Sequence, residues 1–162
     1  MKAYLASHFF DTFGFEGTKR LAEEIRKAVP GIDLYVPQEN GEINDKKNND
    51  SNITSEAIYK ADRDKLLSSH ILIACIDGVE IDSGVACEIG LFSGVLETEK
   101  LHDSRSNRFI IGLYSDIRQH GTGINQMYKN QFVLGAIEAN GTIVSSTQEL
   151  VSALSIIRIA TN

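Results

Sequence analysis

Apolar residues along this chain fall into two patterns. Short unbroken apolar runs alternate with stretches in which apolar positions recur every three to four residues. The first pattern reads as a buried strand and the second as an amphipathic helix. Lys2–Ala6, with Ala3-Tyr4-Leu5-Ala6, is the first strand candidate. Leu21, Ala22, Ile25, Ala28 and Val29 then mark one helical face, and Pro30-Gly31 stops that helix. A second strand, Ile32–Val36, ends at Pro37. The next stretch, Gln38–Asn52, is polar and rich in Asn, Asp and Gly. A connection of that length without periodicity is uncommon in compact domains and is usually functional or mobile. A helix over about Ile53–Ser68 turns Ala57, Ile58, Ala61 and Leu66 inward.

The second half repeats the alternation. Ile71-Leu72-Ile73-Ala74-Cys75-Ile76 is wholly apolar and breaks at Asp77-Gly78. From Gly84 onward Val85, Ile89, Phe92 and Leu96 recur at helical spacing. Glu97–Arg108 reads as a polar loop and Phe109–Tyr114 as the fourth strand. Ser115–Gly123 reads as a loop, Asn125 to about Val133 as a short helix and Thr142-Ile143-Val144 as the last strand. Ser146-Thr147-Gln148-Glu149 has the form of a capping box opening a helix through about Ile157, with Leu150, Ala153, Leu154 and Ile157 inward. Continuous apolar strands alternating with amphipathic helices predict an α/β fold: a doubly wound, flavodoxin-like, five-stranded parallel sheet with helices on both faces. At 162 residues it is expected to be one domain, 1–162, large enough to bury about 70% of its unfolded surface without a disulfide or metal staple. Ligands in such folds bind beyond the carboxyl ends of the strands, which places the Glu97–Arg108 loop at the opposite end and leaves it no role.

Composition narrows the function. Hydrophobic content of 42% and charge of 23% are ordinary for a globular protein, and no run approaches a membrane helix. The apolar part of the N-terminus is too short for a signal peptide. A net charge of −6 argues against a general binder of nucleic acid or anionic membranes. The two cysteines, Cys75 and Cys87, lack CxxC spacing, and core packing of both fits a reducing cytoplasm. No G-x-G-x-x-G follows the first strand, and there is no G-x-x-x-x-G-K-[ST] and no G-x-S-x-G. His8, His70, His102 and His120 form no pair with ligand spacing, so no metal or other cofactor is called for.

Carboxylates remain. Glu88 lies three residues after Val85 and four before Phe92, so it borders the stripe that faces the protein. Gly84, one turn earlier, leaves open space on its N-terminal side. Asp82 sits six residues before Glu88 across the loop-to-helix junction, so both can approach one pocket. Two carboxylates at one site fit glycosyl chemistry, with one attacking the anomeric carbon and the other managing the leaving group's proton. An Asp in that position also suits a plain helix cap.

Five pieces of sequence, in order, raise the functional reading. They are Tyr4-Leu5-Ala6, Tyr35-Val36-Pro37, Ala61-Asp62, the D-x-G-x-x-x-E-x-G run from Asp82 to Gly90, and Ile124-Asn125-Gln126-Met127. Together they span nearly the whole chain and resemble the nucleoside 2-deoxyribosyltransferase family. The resemblance implies transfer of a 2-deoxyribosyl group between nucleobases through a covalent glutamyl-sugar intermediate, with net retention at C1′. It implies Glu88 as the nucleophile and Tyr4 as the residue that orients it. Asp82 and Asp62 would contact sugar and base, one of them exchanging a proton with the base. Phe10 would lie beside the base, and Asn125 would reach the sugar's 5′-hydroxyl of a neighbouring subunit, with Met127 lining the same pocket. The implied partners are 2′-deoxynucleosides, free purine or pyrimidine bases and further copies of the chain in a homo-oligomer with shared sites.

Two departures stand out. His8 replaces a glycine that many relatives carry, and the chain ends in Ile159-Ala160-Thr161-Asn162, beyond the point where some relatives place a terminal carboxylate at the sugar. Two other functions stay open at this stage. One is hydrolysis of 2′-deoxynucleosides or their 5′-phosphates at the N-glycosidic bond, although Ser7-His8-Phe9-Phe10-Asp11 is aromatic and acidic where a phosphate needs Ser, Arg and Gly. The other is non-catalytic nucleotide sensing on the same scaffold.

Overall fold

The computed structural model describes residues 1–44, 53–102, 106–117 and 129–160, with side chains through Arg158. Its strands are β1 (Lys2–Ala6), β2 (Asp33–Tyr35), β3 (Ile71–Cys75), β4 (Phe109–Leu113) and β5 (Gly141–Val144). They form one parallel sheet in the order β2-β1-β3-β4-β5. The helices are α1 (Thr12–Ala28), α2 (Gly41–Asn44), α3 (Ser55–Ser68), α4 (Ser83–His102), α5 (Gln131–Asn140) and α6 (Thr147–Ala160). This is the doubly wound, flavodoxin-like arrangement that the alternation of patterns predicts. Among the described residues, no helix is long and apolar enough to cross a membrane.

Strand alternation builds two cores. Ala3, Leu5, Ile71, Ile73, Ile111 and Leu113 pack on one face against Leu21, Ala22 and Ile25 of α1 and Leu150 and Leu154 of α6. Tyr4, Ala6, Leu72, Ala74 and Ile110 turn to the other face, onto Leu66 of α3, Ile137 of α5 and Val85, Ile89, Phe92 and Leu96 of α4. The first face is apolar throughout, whereas the second carries a tyrosine at its centre. The strand order reverses direction between β1 and β3, so the loops after these two strands diverge and open a crevice.

Four expectations from the sequence are corrected. Residues of the supposed loop Glu97–Arg108 continue α4 as far as His102. Glu97, Thr98, Glu99 and Lys100 lie on solvated turns of the helix, where polarity reflects exposure and not a break in the chain. Arg108 closes that end: it pairs with Glu99 at 2.8 Å and donates to the Leu67 carbonyl at 2.8 Å. The helix expected from Asn125 to Val133 is instead Gln131–Asn140, while residues 118–128 lie outside the described residues. The Asn130 side chain caps it by accepting from the Phe132 and Val133 amides. Asn140 ends it with a buried hydrogen bond to Ser93, and Gly141 follows at once in β5, where a Cβ would lie 1.7 Å from the Ile110 carbonyl oxygen. Finally, Cys87 is exposed on α4 and Cys75 only partly buried, so core packing fails for Cys87. Ala28 is likewise exposed, at the end of α1.

Candidate active site

Glu88 stands one turn into α4, next to the buried stripe, and leans toward the end of β1. There the Tyr4 hydroxyl donates a hydrogen bond to Glu88 Oε1. Tyr4 itself is wholly buried, so its ring is fixed by packing before it fixes the carboxylate. Burial pushes the Glu88 carboxyl up to about 7; the Tyr4 hydrogen bond opposes this, while the Asp62 and Asp82 charges add to it. Burial, with Glu88 close by, also raises the Tyr4 hydroxyl, so it remains a donor throughout the physiological range.

Asp82 precedes α4, and its Oδ1 accepts from the Gly84 and Val85 amides at 2.9 and 3.2 Å. It therefore is a helix cap. Its Oδ2 nevertheless faces His8 Nδ1 at 3.4 Å, so one carboxylate both starts the helix and lines the crevice. His8 also meets Asp11, the cap of α1, through Nε2 at 2.8 Å, and these contacts, Asp11 foremost, raise its pKa. Asp62 projects from α3, half-buried. Its Oδ1 accepts from the Tyr35 hydroxyl at 2.9 Å, and burial raises its pKa against that bond.

The Glu88, Asp82 and Asp62 carboxyls share one cavity of about 230 Å³, also lined by Gly84, Phe10 and Pro37 among others. Phe10 is 62% exposed, so it is not core; it stacks on Phe9 at 4.8 Å and presents a ring at the cavity edge. A Cβ on Gly84 would come 3.0 Å from Asp82 Oδ1, which explains why a glycine suits the position between the two carboxylates. A larger cavity of about 750 Å³ adjoins through the shared residues Ser7 and Asp82 and runs toward α1 past His8, Asp77 and Ser115. The described lining of both cavities includes carboxylates and hydroxyls but no Lys or Arg.

A raised carboxyl has a consequence for folding. The folded chain binds the Glu88 proton more tightly than the unfolded chain, in which the pKa is the usual 4.5. Stability tied to that proton is complete below pH 4.5 and is lost as pH rises through about 7. Glu88→Gln, neutral at every pH, is therefore expected to be more stable than the parent at pH 8, by on the order of 2 kcal/mol, and equal to it at pH 4. Urea unfolding at the two pH values checks this, and a pH-independent difference would contradict it.

Asp62, Asp82, Glu88 and Phe10 line one cavity, and Tyr4 reaches it through its hydrogen bond to Glu88. Asn125 and Met127 lie outside the described residues. Sequence reasoning overlooked the hydrogen-bonding roles of Tyr35 and His8. Strand parity carried a signal for the first: Tyr4 and Tyr35 are register partners in adjacent parallel strands, so they share a face.

A sequence model of the nucleoside 2-deoxyribosyltransferase family matches residues 3–134. The chain belongs to the nucleoside 2-deoxyribosyltransferase family. A conserved protein from Enterococcus faecalis V583, known as a crystal structure, is 33% identical, with a TM-score of 0.77 over 96% of this chain and 97% of that one. A 2-deoxyribosyltransferase from Bacillus psychrosaccharolyticus shares the fold at 17% identity and a TM-score of 0.64, over 93% of this chain and 90% of that one. Comparison with curated proteins gives no match. Family membership makes the coarse function a transferase of the nucleoside deoxyribosyl type, with nucleosides and nucleobases as its substrates. Among the described residues, the cavity is lined by Glu88, held by the buried Tyr4 hydroxyl, and by Asp62 and Asp82.

Proposed function

We propose that the chain transfers 2-deoxyribosyl groups between nucleobases by double displacement at C1′, with Glu88 as nucleophile. The observation that carries this reading is the buried Tyr4 hydroxyl donating to Glu88, at a cavity that Asp62 and Asp82 also line. In the first step the Glu88 carboxylate bonds to C1′ as the C1′–N bond breaks. Asp62 gives its proton to a nitrogen of the departing base and becomes a carboxylate. In the second step an incoming base attacks C1′, its proton passes to Asp62, and Glu88 leaves as a carboxylate. Two inversions give net retention, and one hard substitution becomes two easier ones.

The electrostatics support that division of labour. Burial disfavours charge at Asp62, which suits a proton carrier, and the nearby Asp62 and Glu88 charges discourage ionisation of both at once. Asp82, tied to the start of α4, is suited to hold a sugar hydroxyl, and the Phe10 ring to lie along a base. Asn125 and Met127, by the resemblance, would complete the 5′ end of the sugar site from a second copy in a homo-oligomer. The lack of Lys or Arg in either described lining favours an uncharged nucleoside over a 5′-phosphate. Incubation with thymidine and adenine, followed by chromatography, is expected to yield deoxyadenosine, with thymidine consumed only when a base is present. Failure of this and every other base pair to exchange would overturn the reading; consumption without added base would replace transfer by hydrolysis.

A further inference from the structure

We propose that Tyr35 is a positioning residue that sets which oxygen of Asp62 carries the transferred proton and how readily it leaves. This rests on the reading of Asp62 as the proton carrier. Three contacts make Tyr35 more than a wall of the site. Its hydroxyl donates to Asp62 Oδ1 at 2.9 Å. The Asn40 side-chain amide donates to the same hydroxyl oxygen at 3.1 Å. Its ring lies 5.3 Å from that of Tyr4, which it meets in register across β1 and β2.

The direction of the chain is fixed by chemistry. The Asn40 amide can only donate through its nitrogen, so the Tyr35 oxygen accepts and its proton points at Asp62. An accepted hydrogen bond strengthens the hydroxyl as a donor. Burial pushes the Tyr35 pKa up to about 12, so it donates at every working pH. With Oδ1 accepting from Tyr35, the carboxyl proton sits on Oδ2. When Asp62 hands that proton to the base nitrogen, the new carboxylate keeps the Tyr35 hydrogen bond, which favours the charged form. Tyr35 thus holds the Asp62 pKa below the level burial alone would give, low enough for the proton to leave.

The charged and titratable groups around this pair come from three elements. They are Tyr4 on β1, Glu88 on α4, and on α3 Lys65, whose ammonium is 5.6 Å from the Tyr35 ring centroid. Tyr35→Phe keeps the ring contacts and removes only the hydroxyl.

The test reads the Asp62 carboxyl directly. In protein labelled with ¹³C at aspartate carboxyls, Asp62 is assigned by its loss in Asp62→Asn and titrated in the parent and in Tyr35→Phe. The Tyr35→Phe midpoint is expected to rise by about one pH unit, with kcat for base exchange near neutrality about tenfold lower and the basic limb of base release moved upward in step. An unmoved midpoint and limb overturn the proposal. Should Tyr35→Phe not fold, Asn40→Ala decides: a smaller rise supports the proposal and none overturns it. The Asp62→Asn variant separates the two levels. Wild-type turnover in it removes Asp62 as proton carrier and the Tyr35 role with it. A slow Asp62→Asn beside a Tyr35→Phe that titrates like the parent removes the Tyr35 role alone.

Discussion

Glu88→Ala is expected to lower deoxyribosyl exchange by about 10⁴-fold or more, the scale on which loss of a covalent nucleophile is felt. Among the described residues of the cavity, neither remaining carboxyl is placed to replace it. Asp82 Oδ1 is committed to the amides of Gly84 and Val85, and Asp62 Oδ1 to Tyr35. Neither is gripped by a wholly buried donor, as Glu88 is by Tyr4. The substitution also removes a buried carboxyl whose charge opposes folding above neutral pH, so the variant should fold and resist urea as well as the parent at pH 8. A 2′-fluoro-arabinosyl nucleoside, which slows breakdown of the ester, should add the mass of one fluorinated sugar to the parent and nothing to Glu88→Ala. An adduct on the variant, or exchange within tenfold of the parent, would take the nucleophile's role from Glu88.

How much of this was legible in the sequence follows from what kind of information each feature needs. The sheet was legible because its central strands are buried on both faces and so read as apolar runs; Ile71–Cys75 is the plainest case, whereas the edge strand Asp33–Tyr35 opens on an exposed aspartate. The face of α4 was legible because Val85, Ile89, Phe92 and Leu96 keep helical spacing, and Glu88 could be placed beside them. The end of α4 was not, because a helix emerging into solvent loses its apolar stripe, and Glu97–Lys100 then look like a loop. The start of α5 was missed because its cap, Asn130, lies among other polar residues and only the geometry of its side chain singles it out. Asp82 was legible both as a cap and as a site residue, and the geometry gives one oxygen to each side. What linear sequence does not encode is who holds whom. Tyr35 and Asp62 are 27 positions apart, and His8 and Asp82 are 74 apart, so those contacts exist only once the sheet is assembled.

Tyr4→Phe should cost about 100-fold in kcat/KM near pH 7 and progressively less as pH rises. Phenylalanine retains the ring that packs among Leu72, Val85 and Ile89 and meets Tyr35, so the core is kept and only the hydroxyl is lost. Among the described residues, the hydroxyl's bond to Glu88 is the influence that lowers the carboxyl's pKa; burial, Asp62 and Asp82 all raise it. Without the bond, the pKa climbs above the present value of about 7. A hydrogen bond to a charged group is worth about 1.5–3 kcal/mol, so the climb is about one to two units. Attack on C1′ requires the anion, which makes up about half of the parent enzyme at pH 7 and roughly one-hundredth of the variant's if the pKa reaches ~9. Loss of the fixed orientation of Oε1 supplies a further small factor. The acid limb of the kcat/KM profile must then move to higher pH, and by pH 9 the gap between parent and variant should fall below about tenfold. A gap that stays constant from pH 6 to 9 would mean that Tyr4 acts on Glu88 by orientation alone, and wild-type activity at pH 7 would mean that it does not act on Glu88 during turnover.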